Sequence, residues 1–408
     1  MRTKIRLASK NTCTGCLACL DSCPEKAIHA CVRSNGHLYP EIDSGVCVKC
    51  GRCMEVCPVV SGYDYQDIAR RSEPYAVWAN DDELRMQSAS GGLFAALAVY
   101  VLSQGGVVAG ASMEGIEVRH ILISGIYELY KIQNSKYQQV VSSGIYKAVK
   151  EALRQGKTVL FGGTSCQIAG LSCFLGENKF SGHLYTVDMI CSGFPSLLAL
   201  ESFLKHEAGP VQTIIYRDKK EGCEKGQRLS VIFKKEAEAE KVYAGDLVYA
   251  AFGTHYTHRS CCLNCRFAVA RRKADITMGD FWGDTDFPEQ HYKGLSLAIV
   301  HTDRGRDLLK RTDLTVHSSA WEKVLKVNFR LVYGKFSFLK FHPARWFYPW
   351  LFTHCSYGIL LKIYRGAGAY SRGWYPYLVF CKMIGLLEKL QRGRVVLKFL
   401  KRMKYYED

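Results

Sequence analysis

The chain has 408 residues, 48% hydrophobic and 23% charged, with a formal net charge of +17 at pH 7. That length and balance predict two or three soluble globular domains with ample core. The longest apolar run, LFAALAVYVL at 93–102, has ten residues, which excludes a membrane span of the usual length. The first twelve residues, MRTKIRLASKNT, are polar and basic, so no secretory signal is expected. Of eighteen cysteines, eight stand at metal-ligand spacing. We therefore expect a reducing cytoplasm and thiolate ligands rather than disulfides. The positive charge invites a nucleic-acid reading, but no zinc finger, helix-turn-helix or RNA-binding signature accompanies it. No nucleic acid is expected; an acidic substrate, an acidic redox partner or an anionic membrane surface fits better.

Residues 1–62 are a duplication. Cys13, Cys16, Cys19 and Cys23 recur as Cys47, Cys50, Cys53 and Cys57, each offset by 34, and both runs close on a proline, Pro24 and Pro58. Three cysteines at C-x2-C-x2-C wrap a loop around one cubane, and the fourth points to the other cluster. Cys13, Cys16, Cys19 and Cys57 are thus expected to hold one [4Fe–4S] cluster, and Cys47, Cys50, Cys53 and Cys23 the second. Gly15 and Gly51 lie in the loops, where backbone must approach closely. A pair of zinc sites is the alternative, but zinc takes separated C-x-x-C knuckles rather than four cysteines in eleven residues twice over. So small a unit has little core, and metal must supply folding energy. A polar linker, DYQDIARRSEP, ends at Pro74.

From 75 to 150, YAVWAN reads as a strand, SASGGLFAALAVYVLSQGG as a helix with a glycine stop, and VVAGASM as the next strand. From 151 to 335 the rhythm repeats: TVLFGG and LYTVDMIC are strands, and TSCQIAGLSCFLG starts a helix. The alternation predicts an α/β core with a largely parallel sheet, following an α+β ferredoxin-like domain. LSVIFKK and LSLAIVHT (295–302) add later strands.

In an open α/β sheet, strand ends converge on one crevice. Cys166 and Cys191 follow two such strands, and Cys262 with Cys265 makes a C-x-x-C. The four are a candidate third cluster site; the alternative is buried apolar cysteines. Cys261 beside Cys262 leaves open which of the two is the ligand. Cys31, Cys173, Cys223, Cys355 and Cys381 have no partner pattern and read as structural.

Clusters move single electrons, most metabolites change by two, and a flavin is the usual converter. SASGG (88–92) opens a helix whose N–H groups suit a phosphate; equally, Ser88 or Ser90 caps the helix and the glycines allow close packing. Lys136 beside Tyr137, and Asp280 with Trp282 in DITMGDFWG, are the other flavin-side candidates. The bland reading of the latter is a tight turn with a packed tryptophan. No GxGxxG follows a strand.

From Lys340 to Asp408 there are thirteen Lys/Arg against three acidic residues. Segment 336–408 reads as a helical basic extension. Val395, Val396, Phe399 and Leu400 against Arg394, Lys398, Lys401 and Arg402 predict an amphipathic helix. It either lies on an anionic membrane surface or packs its apolar face on the body.

The ordered set SASGGLFAALA, NSKYQQ, VLFGGTSCQIAGL, VDMICSGFPS, CLNC and DITMGDFWG, behind a two-cluster ferredoxin domain, resembles the coenzyme F-420 (deazaflavin) hydrogenase/dehydrogenase beta-subunit family over about 1–335. The resemblance implies an FAD-containing iron–sulfur oxidoreductase with a flavin-binding α/β core. It favours a third cluster on Cys166, Cys191, Cys262 and Cys265, and flavin-side roles for Ser90, Gly91, Lys136 and Asp280. Two departures stand out: GTSCQ has Ser165 where the family usually has proline, and CSG has Ser192 where it usually has histidine. The fused ferredoxin domain and basic tail look like the bacterial branch, whose members often accompany exopolysaccharide synthesis genes and whose hosts often lack the deazaflavin. FAD is accordingly favoured over coenzyme F-420. The expected activity passes electrons from a ferredoxin-type protein to a two-electron acceptor, a small molecule or glycan precursor. A non-catalytic electron-transfer subunit feeding a partner enzyme is the alternative. The expected location is cytoplasmic, with the tail placing the chain at the inner face of a membrane.

Overall fold

The computed structural model describes residues 5–62, 72–176, 183–207, 209–225, 228–233, 240–244, 246–269, 272–335, 343–365 and 375–404. Most of the linker, 64–71, parts of the C-terminal extension and the side chain of Cys381 lie outside the described residues.

The N-terminal unit pairs β1 (Ile28–Val32) with β2 (Leu38–Ile42) as an antiparallel hairpin. It carries two short helices, Ala18–Ser22 and Arg52–Glu55. Its core is small and partly made of thiols: Cys19, Ile28 and Cys53, packed by Ile5, Leu7, Leu20, Cys23, Ile42 and Met54. That matches a unit too short to bury much apolar surface.

The body is built on an eight-stranded sheet. Its strands are β3 (Glu73–Ala79), β4 (Val107–Glu114), β5 (Glu117–Ile123), β6 (Val159–Thr164) and β7 (Leu184–Met189), with three more added later. A separate three-stranded sheet holds β8 (Val211–Ile215), β9 (Arg228–Phe233) and β10 (Glu240–Ala244). The main sheet is completed by β11 (Ile276–Asp280), β12 (Ser296–Val300) and β13 (Leu314–Ser318), in the order β13-β3-β12-β11-β7-β6-β4-β5.

This is a mixed sheet, which corrects the expectation of a largely parallel one. Only β4, β6, β7 and β11 run parallel to one another. β12, β3 and β13 extend it antiparallel on one side and β5 on the other. The reason lies in the connections. Helical crossovers join β4 to β6 and β6 to β7, whereas links without an α-helix turn the chain back between β11 and β12 and between β4 and β5. β3 and β4, consecutive in sequence, are far apart in the sheet, and LSVIFKK forms β9 outside it.

Period-2 alternation divides the core between the two faces. Val108 and Leu160 point toward helices Leu93–Ser103 and Asp303–Arg311. Val107, Ala109, Val159 and Phe161 point toward helices Ile145–Arg154 and Ser165–Leu175. The second face also receives Cys16 and Ala18, so the N-terminal unit shares a core with the body. Asp21 supports the same junction: its carboxylate accepts from the Gly144 N–H at 2.6 Å and the Tyr146 N–H at 3.0 Å, satisfying the first turn of helix Ile145–Arg154. Tyr146 in return donates its hydroxyl to the Cys16 carbonyl at 2.8 Å.

The C-terminal helices are Pro343–His354, Tyr357–Arg365 and Tyr375–Lys404. The last sets Val396, Phe399 and Leu400 on the cluster around Trp321, with the Trp321 and Phe399 rings 5.1 Å apart. The apolar face expected from the sequence is therefore covered by the body and is not offered to a membrane. Among the described residues, no helix is long and apolar enough to cross one.

One side chain secures the junction. Arg259 is fully buried; its Nε donates to the Cys13 carbonyl at 2.7 Å and its Nη1 to the Leu38 carbonyl at 2.6 Å, and the guanidinium lies 3.8 Å over the Tyr39 ring. Arg259→Met keeps bulk and removes the donors, leaving the Cys13 carbonyl bare at about 1–3 kcal/mol and the Leu38 carbonyl with Gln139 Nε2 as its remaining donor. Limited proteolysis should then release the N-terminal unit at protease levels the parent withstands; equal resistance with an unchanged denaturant midpoint would contradict this role. Buried histidines, His37, His120, His258 and His301 among them, set a pH dependence. Burial holds His120 and His301 at about 4, below the usual 6.5. Between those values only the unfolded chain takes up their protons, so stability falls as pH drops through about 6.5 toward 4, by about 1.4 kcal/mol per unit for each. Denaturant midpoints across that range should show the loss, and His120→Gln should flatten it; an unchanged slope in the variant would argue against it.

Candidate functional site

The two N-terminal loops share one backbone device. Gly15 and Leu17 in the first have φ of 71° and 64°; Lys49 and Gly51, at the same offsets in the second, have 58° and 85°. These left-handed residues curl the chain so that successive cysteines turn to a common centre. Gly15 has a further reason: a Cβ there would meet Gln139 Nε2 at 2.2 Å. At Gly51 nothing lies within 4 Å, so only its φ calls for glycine.

The thiols gather in groups. Burial pushes the Cys16 thiol up to about 12, helped by the nearby Cys13 and Cys57. Cys19 is raised well above the usual thiol range by burial, then by Cys16, Cys13, Cys57 and, from the other loop, Cys53. Cys53 is raised by burial and by Cys50, Cys47 and Cys23. The fourth cysteine of each run thus neighbours the other run's loop. Thiols held this high ionise when a metal binds them. Among the described residues, no three His, Cys, Asp or Glu are gathered tightly enough for a single ion. The spacing suits a multi-iron cluster and not a zinc ion.

A third group forms in the body. Cys166 is the second residue of the helix leaving β6, Cys191 follows β7, and Cys262 and Cys265 lie in and just after the turn Ser260–Leu263. All four line one cavity of about 670 Å3, together with Cys261. Gly193 (φ 122°) permits the approach of the Cys191 segment to the loop, since a Cβ would meet Cys262 Cβ at 2.8 Å. Cys166 is raised well above the usual range by burial and then by Cys265, Cys191 and Cys16. Cys191 is pushed to about 12 by burial and by Cys262 and Cys265. The adjacent Cys261 and Cys262 thiols lie 3.9 Å apart and titrate as a pair, the hydrogen bond between them raising one and lowering the other. The third group abuts the first: a Cβ at Gly170, in the helix carrying Cys166, would meet Cys16 Sγ at 3.1 Å.

Arginines surround the cavity. Arg266, Arg272, Arg330 and Arg345 line it. Arg345 donates to the His258 carbonyl at 2.7 Å and Arg330 to the Cys262 carbonyl at 3.2 Å, positioning the loop. Arg272 pairs with Asp188 at 2.8 Å, both buried, and Ser165 Oγ donates to Asp188 at 2.5 Å. Ser165, where the family usually has proline, thus joins a buried network that continues through Thr277 to His301. Apart from Ser165, none of this network was singled out from the sequence. Asp188, a carboxylate inside the apolar run LYTVDMIC, was the available signal.

The flavin candidates lie elsewhere; none of the four lines the cavity. Ser90 Oγ donates to the Leu295 carbonyl and the Gly91 N–H to Ser296 Oγ, both at 2.9 Å. Helix Leu93–Ser103 starts behind Gly92, and neither Ser88 nor Ser90 caps it. The Lys136 ammonium donates to the carbonyls of Gln133 and Asn134, and burial lowers it to about 7. Asp280 takes both oxygens to Arg217, at 2.7 and 3.2 Å. Arg217 lies over Trp282, which is half exposed rather than packed. In this structure these four residues are hydrogen-bonded to the chain itself, and Lys219, which donates to the Ser90 carbonyl, and Arg217, which pairs with Asp280, bring their segments together. At the cavity, Arg272 Nε is buried without a hydrogen-bond partner.

Residues 156–319 match the family model for the C-terminal region of the coenzyme F420 hydrogenase/dehydrogenase beta subunit. Residues 12–60 match the model of a 4Fe-4S dicluster domain. No curated protein matches the chain. Thirteen chains of solved structures match. One belongs to the F420-reducing [NiFe] hydrogenase complex from Methanosarcina barkeri, with 17% identity and a TM-score of 0.42, covering 60% of this chain and 81% of that one. The chain is thus an iron–sulfur electron-transfer protein related to the coenzyme F420 hydrogenase/dehydrogenase beta subunit, with a 4Fe-4S dicluster domain ahead of a region that matches that subunit's C-terminal domain.

Proposed function

We propose that the chain is an oxidoreductase that takes electrons from a ferredoxin-type protein and delivers them, through three thiol-held clusters, to a two-electron acceptor at the arginine-lined cavity. Iron–sulfur clusters carry single electrons, and FAD, where bound, converts them to pairs. The observation that carries the reading is the contact between Cys16 and the helix bearing Cys166 at Gly170, which sets a third thiol group directly behind the first.

The chain's own residues do the rest. Cys47, Cys50, Cys53 and Cys23 form the outer set; Cys50 is exposed, and Val46 and Val48 beside it present apolar surface to solvent. A small apolar patch next to a near-surface centre suits a transient redox partner. Cys13, Cys16, Cys19 and Cys57 form the middle set, and Cys166, Cys191, Cys262 and Cys265 the inner one. At the cavity, Arg272, Arg330 and Arg345 would bind the anionic parts of FAD or of an acidic acceptor such as a glycan precursor. Thr164 and Ser165 line the same wall.

Protein purified anaerobically is expected to carry roughly twelve irons per chain, four for each set. Cys166→Ser and Cys191→Ser should each fall to roughly eight while keeping the signals of the two N-terminal clusters. Eight irons in the parent would remove the inner set. Acid release should yield FAD; a parent with twelve irons and no flavin would overturn the flavoprotein reading and leave a relay that feeds a partner enzyme.

A further inference from the structure

Helix Tyr375–Lys404 carries apolar residues on two opposite faces. One face holds Val396, Phe399 and Leu400 and is taken up by the body. The other holds Met383, Leu386, Leu387, Leu390 and Leu397, each 57–64% exposed. At about 100° per residue these five fall within an arc of about 100°, and Phe399 lies about 180° from Leu390. The stripe runs about 21 Å along the helix. Five large aliphatic side chains lined up in water on one face are not the scattered exposure of an ordinary surface.

Charge identifies the occupant. Arg394 and Lys401 stand within the stripe's arc and Lys398 on its edge, all exposed, and Glu388 is the one acidic residue between 383 and 404. We infer that this outward face lies on an anionic lipid surface, with the leucines in the headgroup boundary and the three cations reaching past them to lipid phosphates. A second copy of the chain fits poorly, because the same stripe offers Glu388 alone against Arg394, Lys398 and Lys401. The body holds the helix from behind through Trp321 and Phe399, so docking needs no refolding. The face is opposite to the one the sequence pattern points to, and the inference is independent of the redox reading.

The test uses full-length protein with its clusters and sedimentation with vesicles of phosphatidylcholine alone or with phosphatidylglycerol. Binding is expected on the anionic vesicles and should fall by about tenfold or more on neutral ones or in high salt. Leu387→Glu with Leu390→Glu should abolish it, and Arg394→Gln with Lys398→Gln and Lys401→Gln should weaken it by about tenfold or more. Unchanged cluster absorbance and melting in both variants show that the body is intact, since neither touches the packed face. No binding by the parent, or binding untouched by both variants, overturns the inference. So does a parent dimer that the glutamate variant dissolves, which would assign the stripe to a second copy, or retention on an acidic protein with none on vesicles.

Discussion

A single buried guanidinium ties together the segments that carry the chemistry. Arg259 reaches the first cysteine loop through the Cys13 carbonyl and the hairpin through Leu38 and Tyr39. Its own N–H donates to the Phe194 carbonyl at 2.9 Å, three residues beyond Cys191. It also immediately precedes the turn that bears Cys262. Three of the thiol-bearing segments therefore meet at one residue. A planar, permanently charged fork suits this position: it serves several carbonyls in fixed directions and stays ionised in a dry site. Lysine has neither the geometry nor the fixed charge.

The electrostatics around the thiols follow from that arrangement. Thiolate-held clusters are anionic, and burying anions without compensation is costly. Arg259, Arg272, Arg330 and Arg345 supply cations around the inner set, while the outer set meets solvent at Cys50. Most of these arginines also bond backbone carbonyls, so the groups that offset charge are the ones that hold the loops in place. Compensation and positioning are one device here. The Asp188 network adds rigidity on the sheet side, where Arg272, Ser165 and Thr277 converge on a single carboxylate.

What was legible in the sequence was local and periodic. The cysteine runs repeat at a fixed offset, and strands such as TVLFGG announce themselves as short buried apolar runs. The convergence of Cys166 and Cys191 with the C-x-x-C rested on strand ends meeting at one crevice, and the sheet brings them to one cavity. Long-range choices were not legible. Nothing in YAVWAN says that β3 pairs with β12 and β13 rather than β4, because strand order is decided by tertiary packing. Nothing in HRSCCLNC marks Arg259 as the buried tie between segments. Ser90, Gly91 and Asp280 read as ligand-side residues because glycines, hydroxyls and carboxylates at turns serve ligands and internal bonds alike. The C-terminal helix was legible as amphipathic, but which apolar face the body takes depends on Trp321, far away in sequence.

Three neighbouring thiol sets, from the exposed Cys50 through Cys19 and Cys53 to Cys16 and on to Cys166 at the cavity, are central to the proposed electron path. Neighbouring paramagnetic clusters report their contact directly through spin–spin coupling. The most direct measurement is the EPR spectrum of the fully reduced, cluster-replete protein. Broadened, split signals are expected, and they should simplify in a Cys166→Ser variant lacking the inner set. A spectrum that is the plain sum of independent, uncoupled clusters, from which removal of the inner set merely subtracts one component and leaves the other signals unchanged, would contradict the path.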